Sequence, residues 1–595
     1  MPRTAPPRLA LAGLLALGPA ACAAPPRRPP PDLASVAART NYAETGRYDE
    51  VVRLCAGYER AFPGRVRCAT FGQSPEGRPL LALVASDDGT LDPAAARAKG
   101  RPALLVQGGI HAGEIEGKDA GFLALRALLD GRIARGALGR FTLVFVPAYN
   151  ADGHERFGPN NRPNQRGPAR MGFRTTAQRI NLNRDYAKAE APETRAMLAL
   201  YNAWDPTVYA DLHTTDGAKF QHDVAVLVSP DEPLERPLDR AARALDDALQ
   251  ARLKARHHLP LPFYPSFRAD DDPASGFARE AGPPRFSHPY AGARNRIGIL
   301  VETHSWRAYG ERVRATYDLL EALFTEASAH AAAWREAGAA ADRADARLGG
   351  TPVALAFRTA SASRPIDFRG YAYRRAPSDL SGGPRVTYDE SKPQIWRVPY
   401  YDTLEPAYVE TAPRGGYVVP AAHAAWVGPK LALHGVRFTT LRGERRAAPI
   451  AAFRASSVAF DRPFEGRTRA RVEGAWRPER RDLPPGSLFV PIDQPRARLA
   501  MHLLEPRAPD SLVAWGYFNA AFEQKEFMEP YVAEDEGRRM LERDPALRRA
   551  FEERLRTEPE FAASPEARLR FFYERHPAWD EEFRLVPIFR VDAPP

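Results

Sequence analysis

His111 and Glu114 stand three residues apart in "QGGIHAGEIEGKDA" (107–120), a stretch rich in small residues. An imidazole and a carboxylate at that spacing can fill two positions around a transition metal, and zinc readily takes such a mixed set. Spacing alone is weak evidence. His502 and Glu505 in "MHLLEP" repeat it, and a chain with 13 His is expected to produce a chance match somewhere. Context separates the two pairs. His111 follows the apolar run "PALLVQGG" (102–109) through a glycine turn, whereas His502 lies inside the apolar run "RLAMHLLEP" with no glycine loop after it. A catalytic zinc needs three protein ligands and one open position. His213, at the end of "TVYADLH" (207–213), is the candidate third ligand, and Glu302, at the end of "RIGILVETH" (296–304), is a candidate acid–base group. Each has an ordinary alternative. A histidine ending an apolar run is more often structural, and Glu302 has Arg294 and Arg296 nearby as salt-bridge partners. Chance is strained by the coincidence of three apolar runs that each end in a residue of this type.

These residues need strands to carry them. "PALLVQGG", "TLVFVPAYN" (142–150), "TVYADLH", "VAVLVS" (224–229) and "RIGILVETH" read as buried strands. "GKDAGFLALRALLD" (117–130), "APETRAMLALYNAW" (191–204) and "PLDRAARALDDALQARLKAR" (237–256) read as helices. Strands alternating with helices predict an α/β fold with a mixed, largely parallel sheet sandwiched by helices. In such sheets ligands bind beyond the carboxyl ends of the strands, where His111, Glu114, His213 and Glu302 all fall.

The chain has 595 residues, too many for one compact core. The expected division is an export signal (1–24), a Pro-rich linker (25–39), a catalytic α/β domain (40–347), a β-rich accessory domain (348–510) and a helical C-terminal segment (511–595). The texture changes at "LGGTP" (348–352), beyond which Pro, Gly and Arg interrupt short apolar runs. The N-terminus places Arg3 and Arg8 before an apolar core, Leu9–Leu17, and small residues. This is the layout of a secretory signal, and its apolar core is too short to span a bilayer. A secreted or periplasmic location follows. The alternative is a lipoprotein anchored through Cys22, against which Pro19 counts. No later segment reads as a transmembrane helix. After export Cys55 and Cys68 remain, and they are either a disulfide or two buried thiols. The net charge of +10 is spread among mixed acids and Pro, with no long basic run, so no nucleic-acid footprint is expected.

Six segments, in order over about 70–305, give the chain a resemblance to the zinc metallocarboxypeptidase family, the carboxypeptidase A-like peptidases. "FGQSPEGRPLLAL" (71–83) is similar to the family's Gly-x-Ser-x-Glu-Gly-Arg-Pro strand entrance. "GGIHAGEIEG" resembles its His-x-x-Glu zinc loop, and "VPAYNADGHER" (146–156) its Pro-x-x-Asn-Pro-Asp-Gly segment. "FRTTAQRINLNRDY" (173–186) resembles its Arg, then Asn-Arg, clamp. "DLHTTDG" fits its second zinc histidine and "GILVETH" its glutamate base.

The resemblance implies one Zn²⁺ per chain on His111, Glu114 and His213, with Glu302 as general base. It implies Arg174 as oxyanion stabiliser, ahead of Arg170 and Arg179, and Asn183 with Arg184 as the grip on a substrate carboxylate. Tyr290 and Tyr264 are candidates for a substrate-capping tyrosine. The implied substrates are peptide or protein C-termini, with cell-wall peptides among the candidates. The alternative is a zinc amidohydrolase of the aspartoacylase or succinylglutamate desuccinylase type, acting on N-acyl amino acids. The chain departs from the family at Asn181, where an Asp commonly buttresses a zinc histidine, and at Ala151, which replaces the Pro of Asn-Pro-Asp-Gly.

Overall fold

The computed structural model describes residues 1–2, 32–230 and 236–595. The expected export signal and Cys22 lie outside the described residues. None of the described helices is long and apolar enough to cross a membrane.

An eight-stranded mixed sheet organises the first half. Its strands are β1 (Val66–Gln73), β2 (Pro79–Ala85), β3 (Ala103–Gly108), β4 (Thr142–Val146), β5 (Val208–Thr215), β6 (Val224–Ser229), β7 (Pro260–Leu261) and β9 (Ile297–His304). They lie in the order β1-β2-β4-β3-β5-β9-β6-β7. The central four, β4, β3, β5 and β9, are mutually parallel, while β1, β2 and β6 pair antiparallel. Every residue of β3, β4, β5 and β9 is buried, which is why these strands read as unbroken apolar runs rather than alternating ones. The chain leaves β3 for β4 on one side and later returns to β5 on the other. The crevice between β3 and β5 is therefore a topological switch point, the place where such sheets bind ligands.

Helices Tyr48–Ala61, Glu116–Leu129, Pro237–Ala255 and Tyr309–Asp345 pack their apolar stripes on one face. A disulfide joins Cys55 on the first of these to Cys68 on β1, with Cα atoms 5.3 Å apart. Helices Pro192–Trp204 and Ser287–Ala293 cover the other face. The core there continues unbroken into the second half of the chain, through Val353, Tyr417, Val427, Phe453 and Leu499.

That second half is β-rich and then helical. A two-residue strand, β8 (Phe277–Ala278), pairs with a long hairpin, β11 (Arg364–Pro377) and β12 (Pro384–Tyr401), while β10 (Pro352–Thr359) pairs with β13 (Leu404–Thr411). A six-stranded sheet contains β14 (Gly416–Val419), β15 (Thr439–Thr440), β16 (Arg445–Phe460), β17 (Ala470–Leu483), β18 (Leu488–Pro491) and β19 (Leu585–Val591). Several of these strands are far longer than the short apolar runs of the sequence suggest. Much of the β11–β12 hairpin faces water on both sides, so no apolar alternation marks it. Helices Pro530–Arg543, Pro545–Thr557 and Pro565–Tyr573 form a small appendage around Phe551, Phe561, Phe571 and Phe572.

Candidate active site

His111 and Glu114 sit in the turn between β3 and helix Glu116–Leu129. Gly109 takes a left-handed φ of 65° there, and a Cβ on Gly108 would fall 2.8 Å from the Pro147 carbonyl, so the turn needs both glycines. His213 and Glu302 lie on neighbouring parallel strands and are paired directly in register. One potential ligand atom each from His111, Glu114 and His213 lie within 4.8 Å of one another, and all three residues are buried. Among the described residues no other group of three such side chains converges this way.

The orientation of the rings is specific. His111 Nδ1 and His213 Nδ1 each lie 3.0 Å from a Glu114 carboxylate oxygen. Their Nε2 atoms point outward, His111 to Asn181 Oδ1 at 3.0 Å and His213 to Asp211 Oδ2 at 2.8 Å. Asp211 is steadied in turn by Gln107 Nε2 (2.9 Å) and Ser287 Oγ (2.5 Å). Two inward nitrogens and a carboxylate, each histidine backed by an oxygen acceptor, form a donor set that suits zinc. His111 Nδ1 is buried and faces Glu114 without an aligned hydrogen bond. Burial pushes His111 down to about 4, which keeps the imidazole neutral. Burial also disfavours a proton on His213, but Asp211 and Glu114 outweigh it and hold this ring well above the usual range.

Glu302 is buried beside this group, and its Oε2 has no hydrogen-bond partner. Burial pushes its carboxyl up to about 8, with His213 pulling it down and Glu114 raising it further. A carboxyl held near neutrality can both take and give a proton.

Arg174 reaches the site and rests on Glu114 Oε1 at 3.2 Å. Arg162, which the sequence did not single out, reaches the same oxygen at 3.0 Å and Asp216 at 3.4 Å. It comes from an irregular loop and carries no local signal. Asp211 did carry one: residues two apart on a strand share a face, so "DLH" puts Asp211 beside His213.

Asn181, Asn183 and Arg184 form one tight turn. Asn181 Oδ1 caps the Leu182–Arg184 turn by accepting from Asn183 N at 3.0 Å while also facing His111. The departure at Asn181 thus leaves an acceptor behind the histidine, without the charge. Asn183 Oδ1 accepts from Ser287 N at 2.9 Å, and the Arg184 guanidinium lies 4.3 Å over the Phe286 ring. Burial and Arg174 both disfavour the charge of Arg184.

Tyr290 does not join the site. It is completely buried in the core beneath the sheet, with its hydroxyl 2.9 Å from His434 Nδ1. It lies among the buried residues of helix Ser287–Ala293. The other candidate, Tyr264, lies where Glu302, Asp216 and Glu114 all act on its hydroxyl, and with burial they raise it. His502 and Glu505 lie in different surroundings away from the site. His502 is a buried helix residue pushed down to about 3 by burial, and Glu505 pairs with Arg590 at 2.5 Å and with the Tyr417 hydroxyl.

The chain is similar to carboxypeptidase 2 of Trichophyton rubrum, 23% identical over 458 residues that cover 75% of this chain and 79% of that one. Solved structures similar to it include the carboxypeptidase A of Helicoverpa armigera (16% identity, TM-score 0.36, covering 49% of this chain and 74% of that one). Another is a metallo-carboxypeptidase from Burkholderia cenocepacia (16%, TM-score 0.34, 46% and 68%). The model of the zinc carboxypeptidase family matches residues 51–279, a span that holds His111, Glu114, Arg174, Asn183, Arg184 and His213 and ends before Glu302. Residues 51–279 thus form a zinc carboxypeptidase domain within the longer chain.

Proposed function

We propose that the protein is a zinc-dependent metallocarboxypeptidase that removes residues from peptide C-termini, with one Zn²⁺ per chain. The observation that carries this reading is the shared turn Asn181–Arg184, which joins a metal-type histidine to Asn183 and Arg184, the pair that would grip a carboxylate. A site that grips a terminal carboxylate a fixed distance from its reactive centre cuts at the chain end and not within it.

His111, Glu114 and His213 would hold the zinc ion. When bound, zinc supplies Lewis acidity and lowers the pKa of its water towards 7. Glu302, whose Oε2 is buried without a partner, would take a proton during attack and return it to the leaving amine. Arg174 and Arg162 are the guanidiniums near enough to meet negative charge developing on the scissile carbonyl oxygen. Asn183 and Arg184 would receive the substrate carboxylate, a role for which the planar guanidinium fork is suited. Tyr264 is the hydroxyl available to cover it. The Arg3/Arg8 leader and its apolar core support action outside the cytoplasm.

The zinc-loaded protein should hydrolyse a blocked dipeptide such as N-benzoylglycyl-phenylalanine and leave an N-acyl amino acid intact. Hydrolysis of the N-acyl amino acid alone would instead place the chain with the zinc amidohydrolases.

A further inference from the structure

The tip of the β16–β17 hairpin belongs to the second half of the chain, yet it ends at the catalytic turn. Phe464 and Arg467 close a two-residue loop by exchanging backbone hydrogen bonds of 2.8 and 3.1 Å. The loop residues, Glu465 and Gly466, both have left-handed backbone, with φ of 49° and 78°. This is the primed hairpin turn that favours Asn-Gly or Asp-Gly. A glutamate at its first position strains the backbone in a way that an asparagine would largely avoid. The strained position is also the one that touches the site: Glu465 Oε2 accepts a 2.9 Å hydrogen bond from Asn181 N. Its negative charge also acts on Arg184, against the repulsion from Arg174 and Arg285. The tip is fastened beside that contact, by Arg467 to Glu190 at 2.9 Å and by Asn519 Nδ2 to the Thr468 carbonyl at 2.9 Å. Arg467 also stacks 3.9 Å over Tyr517.

We propose that Glu465 is a positioning residue for the carboxylate clamp, supplied to the catalytic domain by the C-terminal half of the chain. It acts through Asn181. Its carboxylate holds the first N–H of the turn, while the Asn181 side-chain oxygen holds His111 and caps Asn183. The orientation of Asn183 and Arg184 is thereby set by a residue more than 280 positions away in sequence. This inference rests on the carboxypeptidase reading, because it assigns Asn183 and Arg184 to a substrate carboxylate.

The test uses the full-length zinc-loaded chain and three variants: Glu465→Asn, Glu465→Ala and Glu465→Gln. Asparagine suits the turn but is one methylene too short to hold Asn181, whereas glutamine keeps the reach and an acceptor oxygen. The probes are N-benzoyl-phenylalanine, N-benzoyl-lysine and N-benzoyl-glutamate, each compared with its α-methyl ester by calorimetry. The readout is the ratio of ester to acid Kd, which reports carboxylate recognition whatever the side-chain preference. In Glu465→Asn and Glu465→Ala that ratio should fall about tenfold, the worth of one charge-assisted contact. Glu465→Asn should melt no lower than wild type, and Glu465→Gln should keep the ratio within about threefold. An unchanged ratio in Glu465→Asn overturns the proposal. So does a loss in Glu465→Gln equal to that in Glu465→Ala, which would assign the effect to charge alone. If the wild-type chain itself fails to prefer acid over ester for all three probes, it is the carboxypeptidase reading that fails.

Discussion

Asp211 Oδ2 lies 2.8 Å from His213 Nε2, on the ring edge opposite the nitrogen that faces Glu114. The two side chains share one face of β5, and the carboxylate has no solvent contact. A buried carboxylate behind a ligand histidine fixes the ring and raises its basicity. The other histidine has only the neutral oxygen of Asn181. The centre is therefore asymmetric, with its charged support behind His213.

Asp211→Asn should weaken zinc binding about 10- to 100-fold while leaving the fold intact, because the amide keeps an oxygen but not the charge. Competition with a fluorescent chelator measures this directly. An unchanged zinc affinity would mean that Asp211 is only a packing residue.

Glu302→Gln should retain a full complement of zinc and lose hydrolysis by about two to four orders of magnitude, the usual worth of a general base. Metal analysis and kcat on a blocked dipeptide separate the two effects. Full activity would remove Glu302 from the mechanism. Loss of zinc would make it a ligand instead.

His258 should make stability pH-dependent. Its ring bridges Asp223 (2.6 Å) and Asp318 (3.0 Å), tying the loop before β6 to helix Tyr309–Asp345. Burial opposes its charge, but the two carboxylates outweigh burial and raise it to about 9. Because the folded value lies above the unfolded one of about 6.5, this stabilisation is complete below pH ~6.5 and is lost as pH rises through ~9. After allowance for solvent screening it is worth about 1–3 kcal/mol. Melting curves of wild type and His258→Gln should differ most near pH 6 and converge above pH 9. A constant gap between them would show that the ring contributes packing alone.

The disulfide should stabilise the edge of the sheet. It closes a loop between residues 13 apart, worth about 3 kcal/mol in the chain-entropy account. Reductant should lower the melting temperature of wild type and leave a Cys55→Ser/Cys68→Ser variant unmoved. Equal shifts in both would assign the effect to the reductant.

The sequence revealed the site unevenly, for physical reasons. His111, Glu114, His213 and Glu302 stand at the ends of fully buried parallel strands, whose apolar runs are the plainest pattern a sequence can carry. Asp211 was legible in the same strand through its two-residue spacing from His213. Arg162 and Glu465 were not, since each reaches the site from a loop, and nothing local records where a loop tip lands. Tyr290 misled because its segment lies near the site while its ring turns into the core. The long β11–β12 hairpin was hidden because its exposed faces carry no alternation.

The most direct test is digestion of a defined peptide mixture by the zinc-loaded protein, read by mass spectrometry, with each peptide present both as free acid and as C-terminal amide. The account predicts stepwise loss of single residues from the free-acid C-termini, little cleavage of the amides, and none of either after treatment with 1,10-phenanthroline. Internal cleavage, equal cleavage of acid and amide, or activity that survives removal of the metal would contradict it.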